Sequence, residues 1–327
     1  MKTLFGIDQL EAPESGSVVT IGTFDGVHLG HRALIARAIG EARTRDAAAA
    51  ILTWDRHPAL TLRPEKAPTM LSTPERKIEL LSEVGVDILA VVPFDHALSQ
   101  WPAERFVTDV LVKGLGARAV VVGGNWRFGK GRTGDVALLR GMGEELGFET
   151  LGIDLEQAAG EVISSSRIRA AIAAGDLAVV TRLLGRPFDA DGVVVHGDDR
   201  GHKLGFPTAN VEMPPGIAHL PRGVYAGRTR VGGDATMVPS HDRKPVAPEG
   251  WYAAAINVGV NPTFGGDPEK HEPRIEAYIL DLDADLYGRE LRIEFWERLR
   301  DEEKFDSEAA LIEQMEKDVE RTKEIVR

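Results

Sequence analysis

The spacing of apolar positions changes once along the chain, near Pro187. Before it, short β-rich runs at residues 18–21, 50–54, 87–92, 117–123 and 149–153 alternate with stretches whose apolar residues recur every three or four positions. That alternation predicts parallel strands joined by helical crossovers, an α/β domain built on a mainly parallel sheet. The helices carry their own punctuation. Leu34, Ile35, Ala38, Ile39 and Ala42 share one face of the first, and Ser72 or Thr73 followed by Pro74 opens another that Gly85 closes. A further helix is predicted over 102–115. After Ser164-Ser165-Ser166 a helical run starts at Arg167 and pauses at Gly175-Asp176; a short helix with Leu177, Val180, Leu183 and Leu184 then breaks at Gly185-Arg186-Pro187. Two domains, 1–186 and 187–327, are expected on either side of that break.

Beyond it the β-rich runs lie at 192–196, 224–231, 252–258, 274–280 and 291–296, separated by Gly, Pro and Asp turns. This pattern predicts an antiparallel barrel or sandwich. A terminal helix capped by Asp306 or Ser307 follows, with Ile312, Met315, Val319, Thr322 and Val326 as the stripe that packs on it. Residues 232–250 hold three prolines and few apolar positions, and read as a long loop.

Composition narrows the function. At 327 residues and 43% hydrophobic content the chain can build two packed cores. A net charge of −12 argues against general nucleic-acid binding, while leaving room for a basic pocket that takes a small phosphorylated ligand. The chain has no cysteine, hence no thiol nucleophile and no disulfide. Asp8 interrupts the N-terminus before a signal-peptide core could form, and no apolar run reaches membrane-spanning length. A cytoplasmic enzyme with small-molecule partners is expected, with no nucleic-acid or membrane partner; a homo-oligomer is compatible with all of this.

The candidate chemistry begins where the first apolar run ends. Gly22-Thr23-Phe24-Asp25-Gly26-Val27-His28-Leu29-Gly30-His31 leads from a strand into a helix, so two histidines three residues apart fall in or beside the first helical turn. There, unpaired N–H groups and the helix dipole favour an anion, and Gly30 leaves room for a phosphate. Two imidazoles aimed at one spot suit charge growing on a departing pyrophosphate. Ser164, Ser165 and Arg167 put hydroxyls and a guanidinium at a second helix start, which suits a triphosphate. The loop at 123–134 combines Asn125, Trp126 and Phe128 with three cations, a composition fit to stack a planar ring and hold its phosphate. Trp54 ends a strand on the same carboxyl edge of the sheet. In the second half, Leu204-Gly205-Phe206-Pro207-Thr208-Ala209-Asn210 can present a hydroxyl and an amide oxygen two residues apart to a Mg-nucleotide.

The first segment resembles the signature of the HxGH nucleotidyltransferases, and its Phe-Asp-Gly-Val-His wording resembles the bacterial FAD synthetases. The Pro-Thr-Ala-Asn string resembles the riboflavin kinase signature, as does 257–265, and the motifs come in the family order over about 5–326. The resemblance implies a Rossmann-like adenylyltransferase domain followed by a riboflavin kinase barrel. It implies ATP contacts at Gly22, Phe24, Gly30, Ser164, Ser165, Thr208 and Asn210, with Mg2+ at Thr208 and Asn210. His28, His31 and Arg167 would act in adenylyl transfer, and Glu276 would activate the hydroxyl in the kinase. Trp54, Asn125, Phe128, Arg300 and Phe305 would contact flavin or its phosphate. Riboflavin, FMN, FAD and ATP are the implied substrates and products. Trp54 and Arg56 replace residues more usual in the family, and His202 stands where an arginine is usual.

Overall fold

The computed structural model describes residues 1–153, 162–197, 205–232, 250–259 and 274–326. His202, most of the 232–250 loop and most of the 257–265 segment lie outside the described residues. Contacts divide the chain into a first unit, Met1–Arg167, and a second, Ile168–Arg327.

The first unit is built on six parallel strands: β1 (Lys2–Phe5), β2 (Ser17–Ile21), β3 (Ala48–Trp54), β4 (Ile88–Val92), β5 (Ala117–Gly123) and β6 (Glu149–Ile153). Their order is β1-β4-β3-β2-β5-β6, with every neighbouring pair parallel. Central β2 and β4 are buried along their whole lengths, as strands covered on both faces must be, so they read as continuous apolar runs rather than alternating ones. Val19 and Ile21 enter one core with Leu52, Phe106 and Val110; Val18 enters the other with Leu34, Ile35 and Leu80. The chain runs outward from β2 through β3 to β4, then returns to β5 on the other side of β2. The carboxyl ends of β2 and β5 therefore flank the switch point, where open α/β sheets receive ligands.

Helix α1 (Leu29–Thr44) follows β2 directly. Helix α2 (Pro58–Leu62) follows β3. Helix α3 (Pro74–Ser82) is capped by Thr73, whose hydroxyl accepts the Arg76 N–H at 3.1 Å. The helix expected over 102–115 is an α-turn at Ala103–Phe106 that widens into a π-helix at Val107–Gly114. Phe106, Val107, Val110, Leu111 and Gly114 are all buried there, and the wide i→i+5 winding keeps them on the core.

The second unit is a closed antiparallel barrel of β7 (Phe188–Val195), β8 (Thr208–Glu212), β9 (Gly223–Val231), β10 (Gly250–Gly259), β11 (Arg274–Ile279) and β12 (Glu290–Arg300), ordered β10-β11-β8-β7-β12-β9. Val211, Tyr225, Ile256, Val258, Ile275, Ala277, Ile293 and Phe295 fill its buried core. The short helix Leu177–Leu184 packs on β7 and β12, so the expected break at 186/187 falls inside this unit by packing. The terminal helix, Glu308–Ile325, is capped by Ser307 and lies against β9, β10 and β12. Its buried line runs through Asp318 and Thr322, with Met315 and Val319 half-buried beside it.

Candidate functional site

In the first unit, the histidine pair is locked by helix capping. His28 is the N-cap of α1, and its Nδ1 accepts the His31 backbone N–H at 3.2 Å. An imidazole that accepts at Nδ1 carries its proton on Nε2 when neutral, so the cap also selects the tautomer. The His28 and His31 rings stack with centroids 3.5 Å apart and planes 16° apart, and the edge of Phe24 closes on His31 at 5.2 Å. His31 Nδ1 is enclosed and has no hydrogen-bond partner among the described residues. Burial, reinforced by the charge of His28 beside it, holds the His31 pKa well below 6.5. Gly30 packs closely at its position: a Cβ there would stand 3.3 Å from the His28 ring, so the ring would have to give by a few tenths of an ångström, and 3.5 Å from Ile163, an ordinary contact.

The turn before α1 is tightly held. Phe24 and Val27 have positive φ, 50° and 41°, and Gly26 lies at 78°. Gly22 lies under the Phe24 ring, 3.0 Å from where its Cβ would be, and its N–H donates to the Leu52 carbonyl at 3.2 Å. Asp25 is 4% exposed; its Oδ1 accepts the Leu71 N–H at 2.8 Å, and its carbonyl accepts the Ser165 hydroxyl at 3.1 Å. Ser164 in turn caps the helix Ser165–Ala174 by accepting the Arg167 N–H at 3.2 Å, and Arg167 Nη1 donates to the Val162 carbonyl at 2.6 Å. The serine segment and the histidine turn are thus brought together at the carboxyl edge of the sheet. Asn125 is exposed on the turn after β5, across the same switch point.

Trp54, expected at the carboxyl edge of the sheet, and Phe128, expected to offer an open stacking face, are both enclosed. They are 9% and 8% exposed and belong to the core. Phe94, Trp54, Phe106, Phe128 and Trp126 form one aromatic chain with centroid separations of 5.3, 6.0, 5.9 and 4.4 Å in that order. Phe24 is likewise fully buried, so the backbone of that turn, not its ring, is what it can offer a nucleotide.

In the second unit, a cavity of about 600 Å³ lies on the outer face of the barrel beside the terminal helix. Thr208, Glu276, Arg300 and Phe305 all line it, together with Asn257, which opens the 257–265 segment but had been given no role, and Tyr278, which no motif had singled out. Strand register explains the grouping. Asn210 and Asn257 stand opposite Glu276 on either side, and Thr208 and Ala255 stand opposite Tyr278. Alternate residues of these strands, Val211, Ile256, Val258, Ile275 and Ala277, point into the core, which leaves the polar row facing out. Arg300 is clamped by Asp318 of the terminal helix, with Nη2 to Oδ2 at 2.8 Å and Nε to Oδ2 at 3.0 Å, and lies 5.6 Å from the centre of the Phe305 ring. A hydroxyl, an amide and a carboxylate side by side form a hard-oxygen donor set fit for Mg2+ carried with a nucleotide. Among the described residues, no group of three or more His, Cys, Asp or Glu could hold a metal ion.

Comparison with known proteins agrees with both halves. The FAD synthetase family model matches residues 10–167, and the riboflavin kinase model matches 184–326. The bifunctional riboflavin kinase/FMN adenylyltransferase of Escherichia coli (strain K12) is 36% identical over 319 residues, 97% of this chain and 96% of that protein. Its counterpart in Listeria monocytogenes is 35% identical over 327 residues, 99% of this chain and 98% of that protein. A crystal structure of a Streptococcus pneumoniae protein described as a macrolide-efflux protein superposes with a TM-score of 0.81 at 28% identity, covering 99% of both chains. In the present chain, no helix among the described residues is long and apolar enough to cross a membrane. With both family models matched in order and relatives this similar along nearly its full length, the chain belongs to the bifunctional riboflavin kinase/FMN adenylyltransferase family.

Proposed function

We infer that this chain phosphorylates riboflavin to FMN with one ATP and adenylylates FMN to FAD with a second, releasing pyrophosphate. The FAD synthetase model ends at 167 and the riboflavin kinase model begins at 184, which supports assigning adenylyl transfer to the first part of the chain and the kinase to the second, for which we keep 1–186 and 187–327 as the expected bounds. The observation that carries the reading is the stacked His28–His31 pair, locked by its own helix cap at the switch point of a parallel sheet.

In adenylyl transfer, an FMN phosphate oxygen attacks the α-phosphorus of ATP as the bond to the bridging oxygen breaks. His28 and His31 present Nε2–H groups to the departing pyrophosphate, and Arg167 and Ser164 through their side chains and Ser165 through its backbone N–H supply further donors from the second helix start. Gly22, Phe24 and Gly30 shape the nucleotide's path through backbone and space. Asn125 serves as a flavin contact, with Trp54 and Phe128 as the wall behind it. In the kinase, Glu276 accepts the proton of the attacking ribityl hydroxyl, while Arg300 and Phe305 border the flavin. Thr208 and Asn210 would hold Mg2+ with ATP, which would offset negative charge on the phosphates. We take the cytoplasm as the working compartment and small molecules as the partners; the net charge of −12 disfavours nucleic acid.

Incubating the protein with riboflavin, ATP and Mg2+ and separating the flavins tests this directly. FMN should appear first and FAD after it. His31→Ala should slow FAD formation by about 10²–10³-fold and spare FMN formation. Glu276→Ala should abolish FMN formation yet still convert supplied FMN to FAD. FMN that accumulates without FAD in the parent protein would sink the adenylyltransferase assignment, and equal loss of both activities in both variants would sink the division between halves.

A further inference from the structure

We infer that Lys77 is a positioning residue for adenylyl transfer, its buried ammonium fixing the end of β3, which Thr53 in turn joins to the turn that carries His28. The inference rests on the adenylyltransferase reading above and adds a residue to it.

Lys77 lies in α3, far in sequence from every motif, and no pattern marks it. It is nonetheless 7% exposed, which for a lysine demands a partner. Its Nζ donates to the Trp54 carbonyl at 2.6 Å, at the last residue of β3. Burial pulls its pKa down, while the carboxylates of Asp25 and Asp55 pull it back up. Those two acids are themselves structural. Asp25 anchors Leu71 and receives Ser165, and Asp55 Oδ1 accepts the Phe94 N–H at 2.9 Å. Thr53 adds a direct link between the same edges by donating its hydroxyl to the Thr23 carbonyl at 3.3 Å.

The cation therefore fixes the end of β3, one residue beyond the Thr53 hydroxyl that reaches the Thr23 carbonyl of the histidine turn. Asp25 is three residues ahead of His28, inside the stretch with positive φ at Phe24, Gly26 and Val27. Leu71 packs so closely on this stretch that a Cβ at Gly26 would sit 2.8 Å from its Cδ1. Removing the ammonium leaves the Trp54 carbonyl without its buried donor and takes positive charge away from the end of β3, which Thr53 joins to the turn ahead of His28. The turn must then shift, and with it the imidazole pair. A displacement of about 1 Å at reacting groups is enough to cost about 10²-fold in rate.

The barrel unit supplies an internal control in the same polypeptide. Lys77→Met keeps the aliphatic stem without the charge. It should lower kcat for FAD formation by about 30–100-fold, with the KM values for FMN and ATP changing less than about threefold. FMN formation from riboflavin in the same preparation should stay within about twofold of the parent. Lys77→Arg, which restores a buried cation and donor, should recover most of the lost kcat. Full kcat in Lys77→Met, no recovery in Lys77→Arg, or a parallel fall of FAD and FMN formation would each overturn the inference. A parent protein that makes no FAD would instead overturn the adenylyltransferase reading beneath it.

Discussion

At the scale of single residues, His31 is kept neutral under conditions where an imidazole in water begins to charge. Its pKa lies well below the ordinary 6.5, so between the folded value and about 6.5 the unfolded chain binds the extra proton. Acidification through that window therefore favours unfolding, and above about pH 6.5 the effect vanishes. Thermal denaturation followed from pH 7.5 down to pH 5 should show the first unit losing stability, and His31→Gln should flatten that decline. Gly30 offers a sterically defined test at the same spot. A Cβ 3.3 Å from the His28 ring must displace that ring or be displaced. Gly30→Ala is expected to slow FAD formation by about tenfold or more while leaving FMN formation alone, as separate assays of the two steps would show.

At the scale of elements, the terminal helix works because one buried acid interrupts its apolar stripe. Asp318 is 6% exposed and clamps Arg300 against the cavity wall. Asp318→Asn should destabilise the barrel unit by about 3 kcal/mol and lower its kinase activity, since the arginine loses its buried counter-charge. Ser307→Ala, which removes only the cap, should cost about 1 kcal/mol with the site intact. Denaturant titration with a flavin-turnover assay separates the two. The hydrophobic pattern could not have shown Asp318, because a charged residue in a three-four stripe looks like its solvated edge. β8 was hidden for a related reason: it follows Pro207 directly, its Thr208 and Asn210 read as turn residues in that context, and only pairing with β7 and β11 makes them strand. β1, four residues on the sheet edge with two exposed, carried too little signal to be read. The parallel strands were legible because they are buried on both faces, and the histidine and Pro-Thr-Ala-Asn motifs because their chemistry is local. Lys77 was not, since its role depends on a backbone carbonyl 23 residues away, that of Trp54.

At the scale of the molecule, each unit closes a core of its own, one over a sheet and one inside a barrel. Each should unfold as its own cooperative step. In calorimetry, riboflavin at about 100 times its dissociation constant should raise the stability of the barrel unit by about 2.7 kcal/mol and leave the step lost in acid unmoved. The turn at Phe24–Val27 has a consequence on this scale too. A β-branched valine held at φ 41° sacrifices stability on the order of 1–3 kcal/mol that the surrounding core must make good. Position 27 is therefore where heat tolerance and turnover pull in opposite directions: a lineage moving to warmer surroundings could relieve the backbone with asparagine or glycine only by loosening the seat of its imidazoles.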